Sequence, residues 1–187
     1  GKTAWQYLSQ EDYIVLKRSH GDKLDNWTRD NNISWSCTLL LRHVNSYENK
    51  QVKLAPDGFV TVPELVKFRL LRLLDADAAE LDRVMIAVNR GDKIRFLERR
   101  GADGKLQELA IGQGHSGKAH RQLDDELHLT KLTKDQVPKL AIHGTKTHFT
   151  GSISDQGLLP GGDKGPEYRA HIHLVPYVNE RAVTHLE

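Results

Sequence analysis

Three ionisable side chains stand at alternate positions near the end of the sequence. Arg169, His171 and His173 lie two residues apart, and in a β-strand this spacing directs all three side chains to one face of the sheet. A guanidinium and two imidazoles on one face are suited to an anionic ligand. A solvent-exposed edge strand would show the same pattern. A His-x-His pair can also bind a metal, but we expect none, because no carboxylate at suitable spacing completes the ligand set.

A second pair of cationic side chains lies earlier in the chain. Arg42 and His43 end an apolar run over residues 37–43 that is rich in helix formers. A helix there would hold a guanidinium and an imidazole on a rigid element, which suits phosphate binding. Such pairs are also ordinary surface residues, so this pair alone does not decide the function.

Residues 112–118 fit the phosphate-binding pattern G-x-x-x-x-G-K and follow a predicted strand. Ala119 stands where a P-loop has the serine or threonine whose hydroxyl binds magnesium, and no clear buried helix of a βαβ unit follows. Nucleotide binding through Lys118 is therefore kept only as a lesser alternative.

The elements that must position these residues predict an α+β fold. Residues 37–43 end a helix, 59–62 suggest a short strand, and helices are expected from about 63 to 74 and from 77 to 88. Charged and apolar residues alternate over 93–98, and 106–111 return after a turn, which predicts a β-hairpin. This order is typical of a winged-helix domain, a fold that serves both nucleic-acid and protein contacts.

A fresh apolar run after Pro138 predicts a second lobe. It contains a strand ending at 143–145, a short helix over 149–155 and a strand over 168–175. The predicted organisation is an unassigned N-terminal extension over 1–33, a winged-helix lobe over 34–117, a linker over 118–137 and the second lobe over 138–187.

Composition excludes several classes of protein. Of 187 residues 38% are hydrophobic and 28% charged, which predicts a folded globular chain, and a net charge of +2 gives no bulk signal for nucleic acid. Cys37 is the only cysteine, which excludes an internal disulfide and a cysteine-rich zinc site. Neither a signal peptide nor a membrane span is indicated. We therefore expect an intracellular protein of the cytoplasm, with the nucleus as the alternative.

Seven short segments, taken in order across residues 38 to 175, resemble the tRNA 2′-phosphotransferase family. They are Leu41-Arg42-His43, Asp57-Gly58-Phe59-Val60-Thr61-Val62, Asn89-Arg90-Gly91-Asp92-Lys93-Ile94-Arg95-Phe96, Gln113-Gly114-His115-Ser116, His143-Gly144-Thr145, Gly157-Leu158 and Arg169-Ala170-His171-Ile172-His173-Leu174. Their order and spacing carry the resemblance, since each alone is short.

The resemblance implies an N-terminal winged-helix lobe that binds RNA and a C-terminal ADP-ribosyltransferase-like lobe that binds NAD. It implies three groups of site residues: the catalytic and phosphate-contacting Arg42, His43, Arg95 and Arg169, the further substrate contacts Lys93, Gln113, His115 and Ser116, and the NAD-binding His143, Gly144, Thr145, His171 and His173.

The implied reaction removes an internal 2′-phosphate from RNA, at a tRNA splice junction, with NAD as co-substrate and no metal. The 2′-phosphate is itself a nucleophile, so the protein needs only to orient it towards the nicotinamide ribose. An ADP-ribosylated 2′-phospho-RNA then yields 2′-hydroxyl RNA and ADP-ribose 1″,2″-cyclic phosphate. The extra charge of this second step falls on phosphoryl oxygens, where guanidinium groups stabilise it. A monomer is favoured.

Three departures from the family pattern qualify this expectation. Ala110-Ile111-Gly112 replaces an Arg-Ala-x segment, Phe59 replaces a tryptophan, and no family motif is recognised after Val175. We therefore expect an incomplete ADP-ribosyltransferase-like lobe, with edges left unpaired, and a chain that binds phosphorylated RNA better than it turns it over. A catalytically impaired RNA-binding module or inactive relative is the main alternative.

Overall fold

The computed structural model of the chain describes residues 8–44, 52–90, 95–112, 114–160 and 171–176. The chain divides into two compact units, Gly1–His128 and Leu129–Glu187. Both contain helices and short antiparallel sheets, so the fold is mixed α and β, as the sequence predicts. Within the described ranges, none of the helices combines the length and the apolar character needed to cross a bilayer.

The first unit begins with three helices, α1 (Gln10–His20), α2 (Lys23–Asn26) and α3 (Arg29–His43). The hydroxyl of Ser9 caps α1 by accepting from the Asp12 N–H, and the hydroxyl of Thr28 caps α3 by accepting from the Asn31 N–H. Acidic residues lie in the first turn and basic residues in the last turn of both helices, which suits the helix dipole. Their apolar side chains Leu16, Leu24 and Ile33 are fully buried in the core of this unit.

Three further helices follow: α4 (Val62–Leu65), α5 (Arg69–Leu73) and α6 (Ala78–Val88). The sequence predicts one helix where α4 and α5 lie, and this is wrong. Phe68 adopts an extended conformation (φ −72°, ψ 141°) and is 3% exposed, so the chain breaks in order to bury its ring. The prediction for α6 is confirmed, because Asp77 caps it by accepting from the Glu80 N–H at 2.8 Å.

The sheet of the first unit has the order β1-β3-β2, formed by β1 (Val60–Thr61), β2 (Phe96–Arg100) and β3 (Leu106–Ile111). Both pairings are antiparallel; Phe96 lies opposite Ile111, and a bulge falls between Arg99 and Arg100. The predicted hairpin is confirmed. Because β2 and β3 run in opposite directions, the start of β2 and the end of β3 lie at the same end of the sheet.

Two short helices, α7 (Gly117–His120) and α8 (Asp125–His128), complete the first unit. They fall in the segment 118–137 that the sequence predicts to be a linker, yet they pack against the unit before them. Ala119 is fully buried in its core, the Leu54 N–H donates to Gln122 Oε1 at 2.8 Å, and the Asp124 N–H donates to the Pro56 carbonyl at 2.7 Å.

The second unit contains β4 (Ala141–Ile142), a 3₁₀ turn over Thr147–Phe149, α9 (Thr150–Gln156) and β5 (Val175–Pro176). Strands β4 and β5 pair antiparallel, with Ile142 opposite Val175. The predicted short helix is confirmed as α9, and Gly157 (φ +78°) ends it. The strand predicted over 168–175 is wrong in its described part, because pairing with β4 begins only at Val175 and leaves His171 and His173 outside the ladder.

Candidate functional site

Two hydrogen bonds hold the end of α3 against the loop after β3. One joins a side chain to the backbone, and the other joins two backbone groups. The Arg42 Nε–H donates to the carbonyl oxygen of Gly114, and the Ser116 N–H donates to the carbonyl oxygen of Arg42 at 2.9 Å. Ser116 is buried. The structure therefore brings three predicted site positions, Arg42, His115 and Ser116, to one place in the first unit.

Gly114 is required at this contact for two separate reasons. Its backbone has φ +78°, a left-handed conformation that glycine adopts without the steric cost of other residues. In addition, a Cβ on Gly114 would collide with the guanidinium of Arg42. The absence of a side chain thus lets the arginine reach the backbone of the loop.

The neighbouring His43 is the last residue of α3 and is half-buried. Helix α3 ends directly after it at Val44, which has φ +47° and whose N–H donates to the Leu39 carbonyl oxygen. A β-branched residue rarely occupies this left-handed region. The side chain of Val44 is 3% exposed, so its burial in the core compensates for the unfavourable backbone and fixes where the helix stops.

The side chain of His115 lies against a second histidine of the same unit. Its ring packs edge-to-face on that of His128, with the centroids 4.8 Å apart, and His128 Nδ1 lies 3.2 Å from the Asp57 carbonyl oxygen. The segment around Gly58 is thereby packed against α8, since a Cβ on Gly58 would contact the His128 ring at 3.0 Å. The motif that begins at Asp57 therefore supports the loop that carries His115.

Arg95 lies just before β2 and is exposed. Because Phe96 pairs with Ile111, Arg95 stands at the end of the sheet where β3 leads into the Gly114–Ser116 loop and Arg42. The predicted site residues Lys93, Gln113 and Arg169 lie outside the described residues. The structure thus places Arg42 and Arg95 at the same end of the hairpin.

Several arginines of the first unit form ion pairs with nearby carboxylates. Arg83 pairs with Asp30 at 2.6 Å and also with Glu80, which Arg29 contacts as well. The Arg83 guanidinium holds the pKa of the Asp30 and Glu80 carboxyls below their ordinary values. Further pairs join Arg69 to Asp12, Arg99 to Asp57 and Arg100 to Asp82.

Arg42 and Arg95 differ from these arginines. In the described part of the chain, neither has a carboxylate within ion-pair distance. Arg42 uses one N–H for Gly114, and a guanidinium carries five such donors in a planar fork. The Gly114 carbonyl accepts from one donor of this fork, and a phosphate is the group whose geometry such a fork matches.

The second unit contains a cavity of about 590 Å³. All five residues predicted to bind a dinucleotide, which are His143, Gly144, Thr145, His171 and His173, line it. The remaining lining is largely apolar and comes mainly from the 3₁₀ turn, α9 and the segment after α9, with Phe149, Ile153, Leu158 and Leu159 as its larger members. The volume lies within the roughly 300–1,000 Å³ of small-molecule and cofactor sites, and apolar walls with a few polar groups are typical of them.

One hydrogen bond sets the orientation of a histidine in this cavity. His143 Nδ1 lies 2.9 Å from the His173 carbonyl oxygen, so the tautomer protonated at Nδ1 donates there and leaves Nε2 as an acceptor. The two histidine motifs, thirty residues apart, are joined by this contact. Polar groups on a fixed backbone can then orient a ligand inside an otherwise apolar cavity.

The sequence motifs assigned no role to the apolar walls of the cavity or to Asn89, which contacts the backbone of Arg95. The walls come from Phe149 and Ile153, which lie in a stretch with no recognisable motif; their helical spacing of four was the available signal. Asn89 contacts the backbone of Arg95 and Phe96; it begins one of the segments that carry the family resemblance, but the sequence assigned it no role.

Comparison with known proteins gives consistent similarities. Residues 28–186 match the family described as RNA 2'-phosphotransferase, Tpt1 / KptA family, and this match continues past Val175, where the motifs end. A probable RNA 2'-phosphotransferase of Burkholderia lata is 33% identical over 144 residues, which cover 77% of this chain and 62% of that protein. Proteins with the same description from Hahella chejuensis and Acaryochloris marina are each 30% identical, over 73% and 76% of this chain and 61% and 65% of their own length. The chain thus spans about three fifths of the length of the curated relatives that it matches.

Proposed function

Because the chain belongs to the RNA 2'-phosphotransferase, Tpt1 / KptA family, we propose that it removes an internal 2′-phosphate from RNA with NAD as co-substrate. The products are RNA with a free 2′-hydroxyl, nicotinamide and ADP-ribose 1″,2″-cyclic phosphate, and the splice junction of tRNA is the proposed substrate. The observation that carries the proposal is that His143, Gly144, Thr145, His171 and His173 all line one cavity.

The first unit supplies the phosphate site in this proposal. We assign it a winged-helix architecture, supported by the order of helices and the antiparallel hairpin. Arg42 is held at the end of α3 by the Gly114 carbonyl, so its remaining N–H donors are oriented before the substrate binds. Such preorganised donors stabilise the charge that develops on phosphoryl oxygens without reorganisation during the reaction. His43 and Arg95 add donors from the same unit.

The second unit holds NAD in this proposal. Its cavity fits a dinucleotide by the chemistry of its lining, which combines an apolar wall with imidazoles and a threonine. When bound, NAD supplies the electrophilic carbon that accepts the phosphate. His143 is oriented by the His173 carbonyl at 2.9 Å, and its Nε2 would accept a hydrogen bond from the ligand. Ile153 and Leu158 supply apolar contact area for the ligand.

The proposal is tested with NAD and an oligoribonucleotide that carries one internal 2′-phosphate. We expect nicotinamide release and loss of the 2′-phosphate, both abolished by Arg42→Ala. The matched control variant is Arg18→Ala, since Arg18 lies on α1, far in sequence from every site residue. A native chain that releases no nicotinamide from this mixture would overturn the proposal.

A second candidate is an RNA-binding module that does not turn over. It is favoured by one observation, that the chain spans 62% and 61% of the length of two relatives. In this case the native chain binds the phosphorylated oligonucleotide in a salt-dependent way but releases no nicotinamide. The same assay therefore separates the two candidates.

Nucleotide binding by residues 112–118 is not supported by the geometry of the loop. A P-loop directs its backbone N–H groups at phosphates, whereas the Ser116 N–H donates to the Arg42 carbonyl oxygen. Helix α7, which would have to carry the phosphate at its start, is only four residues long. The resemblance to a P-loop is thus confined to the sequence pattern.

A further inference from the structure

The side chain of Asn89 bridges the two ends of the segment that joins α6 to β2. Asn89 directly follows α6. Its Oδ1 accepts from the backbone N–H groups of Arg95 and Phe96, each at 3.4 Å, and its Nδ2 donates to the Phe96 carbonyl oxygen at 3.0 Å. One side chain thereby contacts three backbone groups at the start of β2.

The second Nδ2 hydrogen of Asn89 reaches a carboxylate. Nδ2 donates to Glu98 Oε1 at 2.6 Å, so both donors and both lone pairs of the amide are used. A side chain whose whole hydrogen-bonding capacity is satisfied by one neighbour strand is strongly oriented. No other residue type of the same size offers two donors and an acceptor from one planar group.

Glu98 is itself fixed from the other side. Its Oε2 accepts from Arg100 Nε at 2.9 Å and from Arg100 Nη2 at 2.6 Å. Arg100 Nη1 also donates to Asp82 on α6 at 2.5 Å. The chain Asn89, Glu98, Arg100 and Asp82 therefore runs from the residue directly after α6 through β2 and back to Asp82 on α6. We refer to these four residues as the Asn89 bridge.

The Asn89 bridge contacts the backbone of Arg95, whose guanidinium must be accurately placed in the proposed function. Arg95 lies at this end of the sheet, next to Phe96 at the start of β2, and is exposed. Its own backbone N–H is a direct contact of Asn89. A shift of the backbone at Arg95 would move the guanidinium away from a phosphate, and small misplacements of positioning groups reduce rates severely.

From this geometry we infer that Asn89 is a positioning residue for Arg95, which it holds in place for the 2′-phosphate of the RNA substrate. The inference rests on the proposed function, in which Arg95 contacts that phosphate. Asn89 acts through the backbone of Arg95 and touches no substrate itself. The Glu98 and Arg100 side chains support it by fixing the orientation of its amide.

The sharpest single variant is Asn89→Asp. It keeps the size and the acceptor oxygen, but it removes both donors and places a carboxylate beside Glu98 and the Phe96 carbonyl. We expect kcat for 2′-phosphate removal to fall about tenfold or more, as loss of a charge-stabilising contact does, with a smaller change in KM for NAD. The matched control is Asn31→Asp, which adds the same charge at an exposed position of α3 and should leave kcat unchanged.

Two measurements separate positioning from a general loss of structure. In an Arg95→Ala background, Asn89→Asp should cause no further loss, because the residue that it positions is absent. The double variant Asn89→Asp with Glu98→Gln reverses the donor and the acceptor of the 2.6 Å contact and should recover part of kcat. A purely structural role would lower activity equally in both backgrounds and would overturn the inference.

Failure of the proposed function is recognised in the same experiment. A native chain that neither removes the 2′-phosphate nor binds the phosphorylated oligonucleotide more tightly than the unphosphorylated one overturns the proposed function and this inference with it. If the native chain only binds, the affinity ratio of the two oligonucleotides replaces kcat as the readout. If the native chain has either property and the Asn89→Asp variant equals it, only the inference about Asn89 is overturned.

Discussion

The Arg42 side chain donates from Nε to the carbonyl oxygen of Gly114, which follows it by 72 residues in the sequence. The contact joins the last turn of a core helix to the loop after the hairpin. Because Gly114 has no side chain and a φ of +78°, the guanidinium can lie directly against the backbone. The position of a proposed phosphate-binding group is therefore decided by a glycine.

Replacing this glycine should disable the site at modest cost to the fold. In Gly114→Ala, the new Cβ collides with the guanidinium, so we expect affinity for the 2′-phosphorylated oligonucleotide to fall about tenfold. The control is Gly104→Ala, which has φ +76° and open space around its Cβ, and which therefore carries the left-handed strain of roughly 1–2 kcal/mol without the collision. Equal affinities of the two variants, measured by fluorescence anisotropy, would contradict the prediction.

Filling the cavity of the second unit should block NAD without affecting RNA. We expect Ile153→Trp to weaken NAD binding at least about tenfold, because an indole occupies volume that the ligand needs, while binding of the oligonucleotide is retained. Leu132→Trp is the control, since Leu132 is 52% exposed and does not line the cavity. Isothermal titration with NAD measures both variants. Unchanged NAD affinity in Ile153→Trp would place the dinucleotide elsewhere.

Cys37 should be inert towards thiol reagents until the first unit unfolds. Its side chain is fully buried in α3, and burial raises the pKa of the thiol to about 12. The thiolate is the reactive form, so at pH 8 almost none is present. We expect no reaction with an aromatic disulfide reagent in buffer and one thiol per chain in denaturant. Rapid labelling of the folded chain would show that this part of the core opens readily.

Stability should fall in mildly acidic solution because of His20. Burial lowers the pKa of its imidazole below 6.5, and its ring nitrogens lie near the Leu16 and Asn32 carbonyl oxygens, at 3.2 and 3.1 Å. Below pH 6.5 the unfolded chain binds a proton that the folded chain does not, so the free energy of unfolding decreases from pH 6.5 towards the folded-state pKa. Above pH 6.5 this contribution is constant.

Urea unfolding from pH 8 to pH 5 checks this prediction. The stability advantage of the native chain over His20→Gln should shrink as the pH falls, because glutamine does not titrate in this range. His148→Gln, at an exposed position, controls for the loss of a histidine. A difference between native chain and His20→Gln that stays constant with pH would exclude His20 as the cause.

Local patterns predicted some elements well and failed where tertiary packing decides. The hairpin and α6 follow from alternation and from the Asp77 cap, which are properties of neighbouring residues. The break between α4 and α5 depends on a distant core that buries Phe68, so no local pattern indicates it. Likewise, residues 118–128 look polar enough for a linker, but they supply hydrogen bonds to Leu54 and Pro56, which lie far away in sequence.

The candidate site was predictable to the extent that motifs mark it. The histidines around 143 and 171 were placed in one site by resemblance, and they do line one cavity, although the strand expected to carry His171 and His173 is absent from the described residues. Asn89 could not be singled out, because its role depends on Glu98 and Arg100 across a turn. Hydrogen bonds between side chains leave no periodic signal in a sequence.

Helices α1 and α2 bring Leu16 and Leu24 into the same core as α3, although the match to the family begins at residue 28. A chain shortened to the matched residues would lose two leucines that pack in the core with α3, the helix that carries Arg42. Such a shortened protein would expose apolar surface that the full chain buries, and it would tend to self-associate. Its failure in an assay would then say nothing about the chemistry of the site.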